Sequence, residues 1–423
     1  MHEEFITVDW ALTTNIYEVN VRQYTREGTF NAFARELPRL KAMGVRTLWF
    51  MPIYPIGIVN RKGSMGSYYS IKDYMRVSND YGDMGDFKTL VESAHQLGFK
   101  VILDWVANHT SWDHVWTQSH PEFYARDNAG GFRPPFPDWE DVILLDYTRS
   151  DLRSAMIEAM KFWVTEFAID GYRCDMAHLV PLDFWRQARN DLDRLKPLFW
   201  LAETEEPAYH EVFDASYAWE FLHTMEAYWN HRTDIEGLKG VLKKYEAIFP
   251  SNALRLLFTS NHDENSHSGS EYERMGDAAK LFAVLCATWK GIPMIYSGQE
   301  LPNYKRLKFF DKDSIDWTGA FELQDFYYKL LSLHAGSAAL RSDSSVTLIN
   351  TSRNDSILAY LRHKGNEVVL VMLHLAGDPD MMIEIDSAQI TGKYKDLFTE
   401  MEYDFTANKV IIMKPWEFMV LVK

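Results

Sequence analysis

The sequence predicts an α/β fold: a (β/α)₈ TIM barrel with a short loop-rich insertion after its third strand and a C-terminal antiparallel β-sandwich domain. Short apolar runs alternate with amphipathic stretches at helical spacing from about residue 15 to residue 341. The apolar runs number eight, which is the number of strands that closes such a barrel. After about residue 342 the helical pattern stops, and the remaining runs are typical of antiparallel strands.

The eight predicted barrel strands are short and rich in aliphatic and aromatic residues, as expected of strands covered on both faces. They lie at residues 15–24, 47–53, 100–106, 171–175, 198–203, 212–219, 254–263 and 293–300.

Amphipathic stretches between these strands predict the barrel helices, including 30–44, 86–98 and 151–167. Two of them end in glycine, which suits a helix C-terminus. The helical stretch at about 220–248 is unusually long, whereas the connection 204–211 is too short for a full helix. One unit of the barrel is therefore expected to be irregular.

Residues 107–150 combine aromatic residues and a PPFP run without clear periodicity, which indicates an inserted, loop-rich domain. We therefore expect a barrel formed by residues 1–106 and 151–341, an inserted domain at 107–150, and a β domain at 342–423.

The charge balance argues against a nucleic-acid partner. The chain has 44 basic and 60 acidic residues, a formal net charge of −16, whereas phosphate binding needs a basic patch. A neutral substrate fits better, and the many aromatic residues suit either a core or a cleft in which sugar faces stack.

No apolar run is long enough to span a membrane, and the N-terminal residues lack a signal-peptide pattern. The expected location is the cytoplasm, with an exported protein whose leader is absent as the alternative. Cys174 and Cys286 lie in apolar runs and are expected to be buried thiols rather than a disulfide framework.

Polar residues that end the apolar runs are the candidate functional residues, because a barrel of this kind builds its site at the C-terminal ends of its strands. Asp175 and Glu203 end adjacent predicted strands and would place two carboxyl groups over one cleft. Retaining glycoside cleavage needs such a pair: one carboxylate attacks the anomeric carbon while one carboxylic acid protonates the leaving oxygen. Arg173 points to the same side of its strand as Asp175 and would keep that carboxylate ionised.

Four segments in order, LDWVANH (103–109), GYRCD (171–175), LAE (201–203) and SNHD (260–263), resemble the four signature regions of the α-amylase family, glycoside hydrolase family 13. The resemblance covers residues 15–341. It implies that Asp175 is the nucleophile, Glu203 the general acid/base, and Asp263 the carboxylate that holds the sugar hydroxyls in the transition state.

The resemblance also implies a set of substrate-binding residues. Tyr69 would stack on the sugar at the cleavage point, and His109, Arg173 and His262 would complete that subsite. His178 stands where a lysine often reaches toward the next subsite, and Ser67 replaces a common histidine near the stacking tyrosine.

The family's calcium site is incomplete in this sequence. Asn108 matches one ligand, but Leu144 and Leu179 stand where an aspartate and a histidine are expected. Calcium prefers about 6–8 oxygen ligands, so no metal and no cofactor are expected. The alternative is a site rebuilt from the acidic residues of segment 138–146, namely Asp138, Glu140, Asp141 and Asp146.

The sequence thus predicts a retaining enzyme that hydrolyses α-1,4 bonds of starch, glycogen or maltooligosaccharides. An α-1,6-glucosidase, a cyclomaltodextrinase-like enzyme and a glucanotransferase remain alternatives, since the same carboxylates serve all of them. A non-catalytic sugar-binding relative is opposed by the intact carboxylates.

Overall fold

Eight parallel strands close into a barrel in the computed structural model, which describes residues 5–423. The order around the barrel is β1-β10-β9-β8-β7-β6-β3-β2, so the predicted (β/α)₈ barrel is confirmed. Its strands are β1 (Ile16–Val19), β2 (Thr47–Phe50), β3 (Lys100–Trp105), β6 (Gly171–Cys174), β7 (Phe199–Ala202), β8 (Ala215–Tyr217), β9 (Leu254–Leu257) and β10 (Ile292–Tyr296).

Twelve α-helices are present in the described part of the chain, and most of them pack their apolar stripe against the barrel. They are α1 (Val21–Tyr24), α2 (Phe30–Ala34), α3 (Leu37–Ala42), α4 (Met84–Gln96), α5 (Val115–Ser119), α6 (Ser150–Phe167), α7 (Leu182–Asp193), α8 (Trp219–Trp229), α9 (Ile235–Ile248), α10 (Glu271–Met275), α11 (Ala279–Thr288) and α12 (Gln324–Gly336).

The irregular unit lies where the sequence placed it, between β7 and β8. The connection there holds only a 3₁₀ helix, Pro207–Glu211. The long stretch 220–248 is two helices rather than one, because His231 adopts a left-handed conformation after α8 and Asp234 caps α9 by accepting from Gly237 N.

The segment between β3 and α6 is mostly loop, as predicted. It contains a two-stranded antiparallel sheet of β4 (His109–Ser111) and β5 (Val142–Leu144), together with α5. His109 therefore lies at the start of this insertion, directly opposite Leu144.

The C-terminal region is one continuous antiparallel sheet in the order β16-β15-β18-β13-β12-β11-β14-β17. Apolar side chains from strands at both ends of this order share one buried cluster, so the sheet bends over its own core. The strands are β11 (Ser345–Thr351), β12 (Ile357–Lys364), β13 (Glu367–His374), β14 (Met381–Asp386), β15 (Lys393–Asp396), β16 (Glu402–Asp404), β17 (Val410–Met413) and β18 (Phe418–Val422).

The barrel interior holds charged side chains on several strands, which is unusual for a protein core and indicates a functional site. Glu18, Asp104 and Arg173 are fully buried. Both cysteines are buried free thiols, as predicted. Across residues 5–423, no helix is both long and apolar enough to cross a membrane.

The close approach of β6 and β7 requires glycine at position 171. A Cβ atom there would lie 2.1 Å from the backbone oxygen of Phe199. We expect Gly171→Ala to separate the two strands that carry Asp175 and Glu203, and to lower the melting temperature by several degrees.

Gly240→Ala is the matched control. Gly240 lies within α9, where an added Cβ meets nothing within 4 Å. Alanine is favoured over glycine in a helix by roughly 0.5–1 kcal/mol, so this variant should melt at the same or a higher temperature. Equal melting temperatures for Gly171→Ala and the wild type would contradict the strand argument.

Candidate active site

A cavity of about 210 Å³ opens at the C-terminal ends of the barrel strands. Carboxylates, aromatic rings and loop residues share its lining, which consists of Lys62, Ser67, Tyr69, His109, Trp139, Asp141, Val142, Asp175, Met176, Glu203, Asp263, Phe309 and Phe310.

Asp175 and Glu203 meet at one guanidinium group. Arg173 Nη1 lies 3.1 Å from Asp175 Oδ1, and Arg173 Nη2 lies 2.9 Å from Glu203 Oε2. Both carboxyl side chains are more than nine-tenths buried, and Arg173 is fully buried. The cation explains how two carboxyl groups on neighbouring strands are accommodated in the closed end of a cavity.

The turn after Asp175 holds Glu203 from the other side. Met176 has a left-handed backbone conformation with φ of 41°, and its N–H donates to Glu203 Oε2 at 2.8 Å. Asp175 Oδ2 has no hydrogen-bond partner among the described residues, although it is buried. Asp175 therefore keeps one free acceptor oxygen, while Oε2 of Glu203 accepts from Met176 N–H and forms an ion pair with Arg173.

Asp263 is positioned by His262. His262 Nε2 lies 3.2 Å from Asp263 Oδ2 and 2.7 Å from the Tyr69 hydroxyl, and its Nδ1 contacts Glu18. Tyr69 also stacks on His262 with ring centroids 5.4 Å apart. The Asp263 side chain is 40% exposed, so it is the most accessible carboxylate of the three.

Burial and neighbouring charges change the protonation of these groups. Burial and the Glu203 carboxylate raise the pKa of Asp175 well above its usual value, and Arg173 opposes that rise only in part. Burial disfavours a charged imidazole, but the carboxylates of Asp263 and Glu18 outweigh it and raise the pKa of His262. In return His262 outweighs the effect of burial on Asp263 and lowers the pKa of that carboxyl. The pair of Asp175 and Glu203 thus holds a proton at a pH where isolated carboxyls have lost theirs.

His109 is a neutral histidine in this site. Burial lowers its pKa to about 3. Asn108 Nδ2 lies 3.2 Å from His109 Nδ1, and a donation there leaves the ring proton on Nε2. Trp139 packs edge-on against the ring at 5.4 Å, so the imidazole is fixed at the cavity wall.

The structure brings most of the predicted site residues together. Five of them line the cavity, while Arg173 and His262 lie directly beneath it and contact the carboxylates. Ser67, which stands where the family often has a histidine, lines the cavity as well. His178 is exposed on the 3₁₀ turn Ala177–Leu179 and is outside the cavity lining, so its role toward a further subsite stays a prediction.

Sequence reasoning missed two buried carboxylates below the cavity. Asp104 accepts from Arg173 at 3.0 Å and from the Tyr69 hydroxyl at 3.2 Å, and burial raises its pKa to about 6 despite Arg173. Glu18 contacts His262. Both are charged residues within apolar strands, and that signal could have identified them.

No sequence pattern identified the loop residues that line the cavity. Lys62, Phe309 and Phe310 lie in irregular segments far apart in sequence, and only the folded loops bring them to the same cavity.

The residues present do not fit the calcium site that the family resemblance implies. The Asn108 side chain is engaged by His109, the Asp141 carboxylate by Lys62 at 3.2 Å, and the Asp146 carboxylate by Thr148. Within residues 5–423, no group of three or more His, Cys, Asp or Glu side chains is placed to share a metal ion. A site rebuilt from segment 138–146 stays a prediction, which the EDTA experiment below tests.

Fold and site together define a (β/α)₈-barrel protein with a carboxylate-lined cavity at the C-terminal ends of its strands. Residues 13–132 and 138–325 match the family model described as "Alpha amylase, catalytic domain". The chain belongs to this α-amylase family.

Similar proteins agree with this assignment. The crystal structure of a noncanonic maltogenic alpha-amylase, AmyB from Thermotoga neapolitana, is 30% identical with a TM-score of 0.90, over 98% of this chain and 99% of that one. Alpha-amylase MalA of Haloarcula japonica is 28% identical over 88% of this chain and 56% of its own length. A cyclomaltodextrinase from a Bacillus species is 24% identical over 82% of this chain and 65% of its own length. The chain thus spans little more than half the length of the first of these curated relatives.

The raised pKa of Asp175 makes a prediction about stability. A carboxyl whose folded pKa exceeds its unfolded pKa stabilises the fold at low pH, and this contribution is lost as pH rises through the folded pKa. Asp175→Asn should therefore unfold at a higher temperature than the wild type at pH 8, with a gain of about 1.4 kcal/mol for each unit of pKa difference. The gain should shrink toward pH 4.

Thermal melts between pH 4 and pH 8 measure this difference, with Asp378→Asn as control because Asp378 is exposed in a loop. A variant that is equally or less stable than the wild type at pH 8 would contradict the argument.

The second prediction concerns calcium, because the residues at the implied calcium site do not form a suitable set of ligands. We propose that calcium does not stabilise this fold, and we expect EDTA to leave both the melting temperature and the activity unchanged. A tightly bound ion would contribute roughly 2.7 kcal/mol at a hundredfold excess over its dissociation constant. A drop of several degrees with EDTA that calcium alone restores would show that the ligand argument is wrong.

Proposed function

We propose that this protein is a retaining glycoside hydrolase that cleaves α-1,4-glucosidic bonds of starch, glycogen or maltooligosaccharides. The observation that carries the proposal is the contact of Asp175 and Glu203 with the same Arg173 guanidinium at 3.1 and 2.9 Å. Such contacts are compatible with the roughly 5–5.5 Å spacing of a retaining pair, which leaves no room for a water molecule between carboxylate and sugar.

In the first step Asp175 attacks the anomeric carbon through Oδ2, the oxygen without a partner among the described residues. Glu203 gives its proton to the glycosidic oxygen as the bond to the leaving sugar breaks. Glu203 Oε2 is held by Met176 N–H and Arg173, which leaves Oε1 as the oxygen able to carry that proton. The product of this step is a covalent glycosyl ester of Asp175.

In the second step Glu203, now ionised, takes a proton from a water molecule that attacks the same anomeric carbon. The ester bond to Asp175 breaks and its carboxylate is restored. Two inversions at one carbon give a product with the original α configuration. Arg173 remains in contact with both carboxyl groups and stabilises Asp175 as the ion that leaves in this step.

The protonation of the pair suits this sequence of steps. Because burial and Glu203 raise the pKa of Asp175, the pair holds one proton over a range of pH, and the reaction needs that proton on Glu203. Loss of the shared proton at high pH removes the acid, and gain of a second proton at low pH removes the nucleophile.

Substrate positioning falls to the residues around the pair. Tyr69 offers a ring face, neutral His109 offers an Nε2–H donor, and Asp263 offers an accessible carboxylate held by His262. A sugar with hydroxyl groups on both edges and an apolar face matches this combination of donors, acceptors and aromatic surface. The positively charged His262 also keeps Asp263 ionised, as an acceptor for two hydroxyls.

The neutral size-matched variants Asp175→Asn, Glu203→Gln and Asp263→Asn test the proposal. Each should lose turnover on maltoheptaose by on the order of 10³ or more, because it lacks the nucleophile, the acid or the sugar-holding carboxylate. Near-ultraviolet circular dichroism should show that each variant keeps the wild-type fold.

Proton NMR of the first product formed by the wild type should show the α-anomer before mutarotation. Early β-anomer would exclude the double displacement, and more than a few per cent of residual turnover in Asp175→Asn would exclude Asp175 as nucleophile. Parallel product profiles on maltoheptaose, pullulan and isomaltose separate α-1,4 hydrolysis from α-1,6 hydrolysis and from transfer.

A further inference from the structure

Three loops meet in a wall on one side of the cavity. This three-loop wall consists of residues 57–66 after β2, residues 138–141 of the insertion, and residues 309–311 after β10. Lys62 Nζ lies 3.2 Å from Asp141 Oδ1 and donates to the backbone oxygen of Asp138 at 2.8 Å. The first loop is thereby joined to the insertion across the cavity margin.

The same loop is also fixed to the segment after β10. Met65 N donates to Phe310 O at 2.9 Å, and Ser64 donates to Asp311 Oδ1 through its N–H at 2.8 Å and its hydroxyl at 2.6 Å. The three segments therefore form one continuous surface rather than separate flexible loops.

Glycine at two positions permits this close contact. A Cβ at Gly57 would lie 2.2 Å from Ser111 Cβ, on the insertion side. A Cβ at Gly63, where φ is +61°, would lie 2.5 Å from Phe310 Cβ, on the other side. The loop after β2 is thus compressed between its two neighbours, and its conformation places the Lys62 side chain at the cavity.

Lys62 differs in charge from the other groups that line the described cavity. Four carboxylates and neutral His109 line the same space, whereas Lys62 is a cation and pairs with the buried carboxylate of one of them, Asp141. The Asp141 side chain is 7% exposed and the Lys62 side chain 35%, so the pair is shielded from water more than an ordinary surface pair.

The barrel order shows which end of the cleft this wall closes. In the closed order, β7, which precedes Glu203, lies opposite β1, and β1 has β2 and β10 as its neighbours. The wall follows β2, β3 and β10, so it lies across the cleft from Glu203. Because Glu203 protonates the leaving oxygen, the leaving sugar lies on the Glu203 side, and the wall faces the glycone side.

We propose that the Lys62–Asp141 pair ends the glycone side of the cleft, so that the protein admits the non-reducing end of a glucan and releases a short product of fixed length. This inference rests on the proposed function. A chain that continues beyond the wall has to displace a buried carboxylate from its cation, which opposes binding of internal segments.

Two forms of maltoheptaose test this proposal, one with a free non-reducing end and one with a 4,6-O-ethylidene group on that end. Initial rates are followed by chromatography of the products. The wild type should prefer the free form by about tenfold or more, since the blocked end does not fit against the wall. Lys62→Ala should lower this preference by about tenfold through a gain on the blocked form.

Lys62→Arg preserves the cation and should retain the wild-type preference, and Lys88→Ala, on the exposed face of α4, should leave both rates unchanged. We call a variant that removes the Lys62–Asp141 ion pair an opening variant. Asp141→Asn serves as a second opening variant if Lys62→Ala does not fold. Equal wild-type rates on the two substrates, or an unchanged preference in a folded opening variant, would overturn the barrier while leaving the hydrolase proposal intact. If the wild type cleaves neither substrate, the hydrolase proposal is wrong, and the barrier proposal is wrong with it.

Discussion

The buried guanidinium of Arg173 is the interaction on which the rest of the site depends. It lies in register with Asp104 across the β3–β6 pair and contacts Asp104, Asp175 and Glu203 at about 3 Å. Tyr217 accepts from Arg173 Nε, and the guanidinium lies 5.0 Å from the centre of the Trp49 ring. The cation on β6 thus interacts with side chains from the neighbouring strands β3 and β7. Its removal would leave three buried carboxyl groups without this positive charge.

The same cluster of buried charges opposes stability but supports the proposed reaction. Five carboxyl groups, Glu18, Asp104, Asp175, Glu203 and Asp263, share two cations, Arg173 and His262. The excess negative charge in a buried region disfavours full ionisation and keeps a proton on the Asp175–Glu203 pair. A pair that shares one proton is what a nucleophile and an acid working side by side require. The fold tolerates the unfavourable free energy of these buried charges because the barrel around them is extensively packed.

The loops, rather than the barrel, give the cavity its individual shape. The insertion is held by direct protein contacts in the region where the family resemblance implies calcium: Ser70 and Trp112 donate to the backbone oxygens of Asp141 and Glu140, and Thr110 bonds to Tyr124. Lys62 adds an ion pair to this set of contacts. The proposed barrier and the incomplete calcium ligand set therefore concern the same part of the molecule, where side-chain contacts fix a loop that a metal ion would otherwise order.

The sequence alone determined the eight strands, the antiparallel C-terminal sheet and the positions of the polar strand ends, because burial of parallel strands and helix amphipathicity leave periodic patterns that are local in the chain. It also indicated that Arg173 and Asp175 share a side, since alternation along a strand is local as well. The break at His231 within stretch 220–248 was missed, because a left-handed residue and a new cap depend on packing. Only the tertiary structure decided that Asp104 and Glu18 support the site, that Lys62 meets Asp141, and that His178 lies outside the cavity. These relations join residues tens to hundreds of positions apart, and no local pattern records which loops meet when a barrel closes.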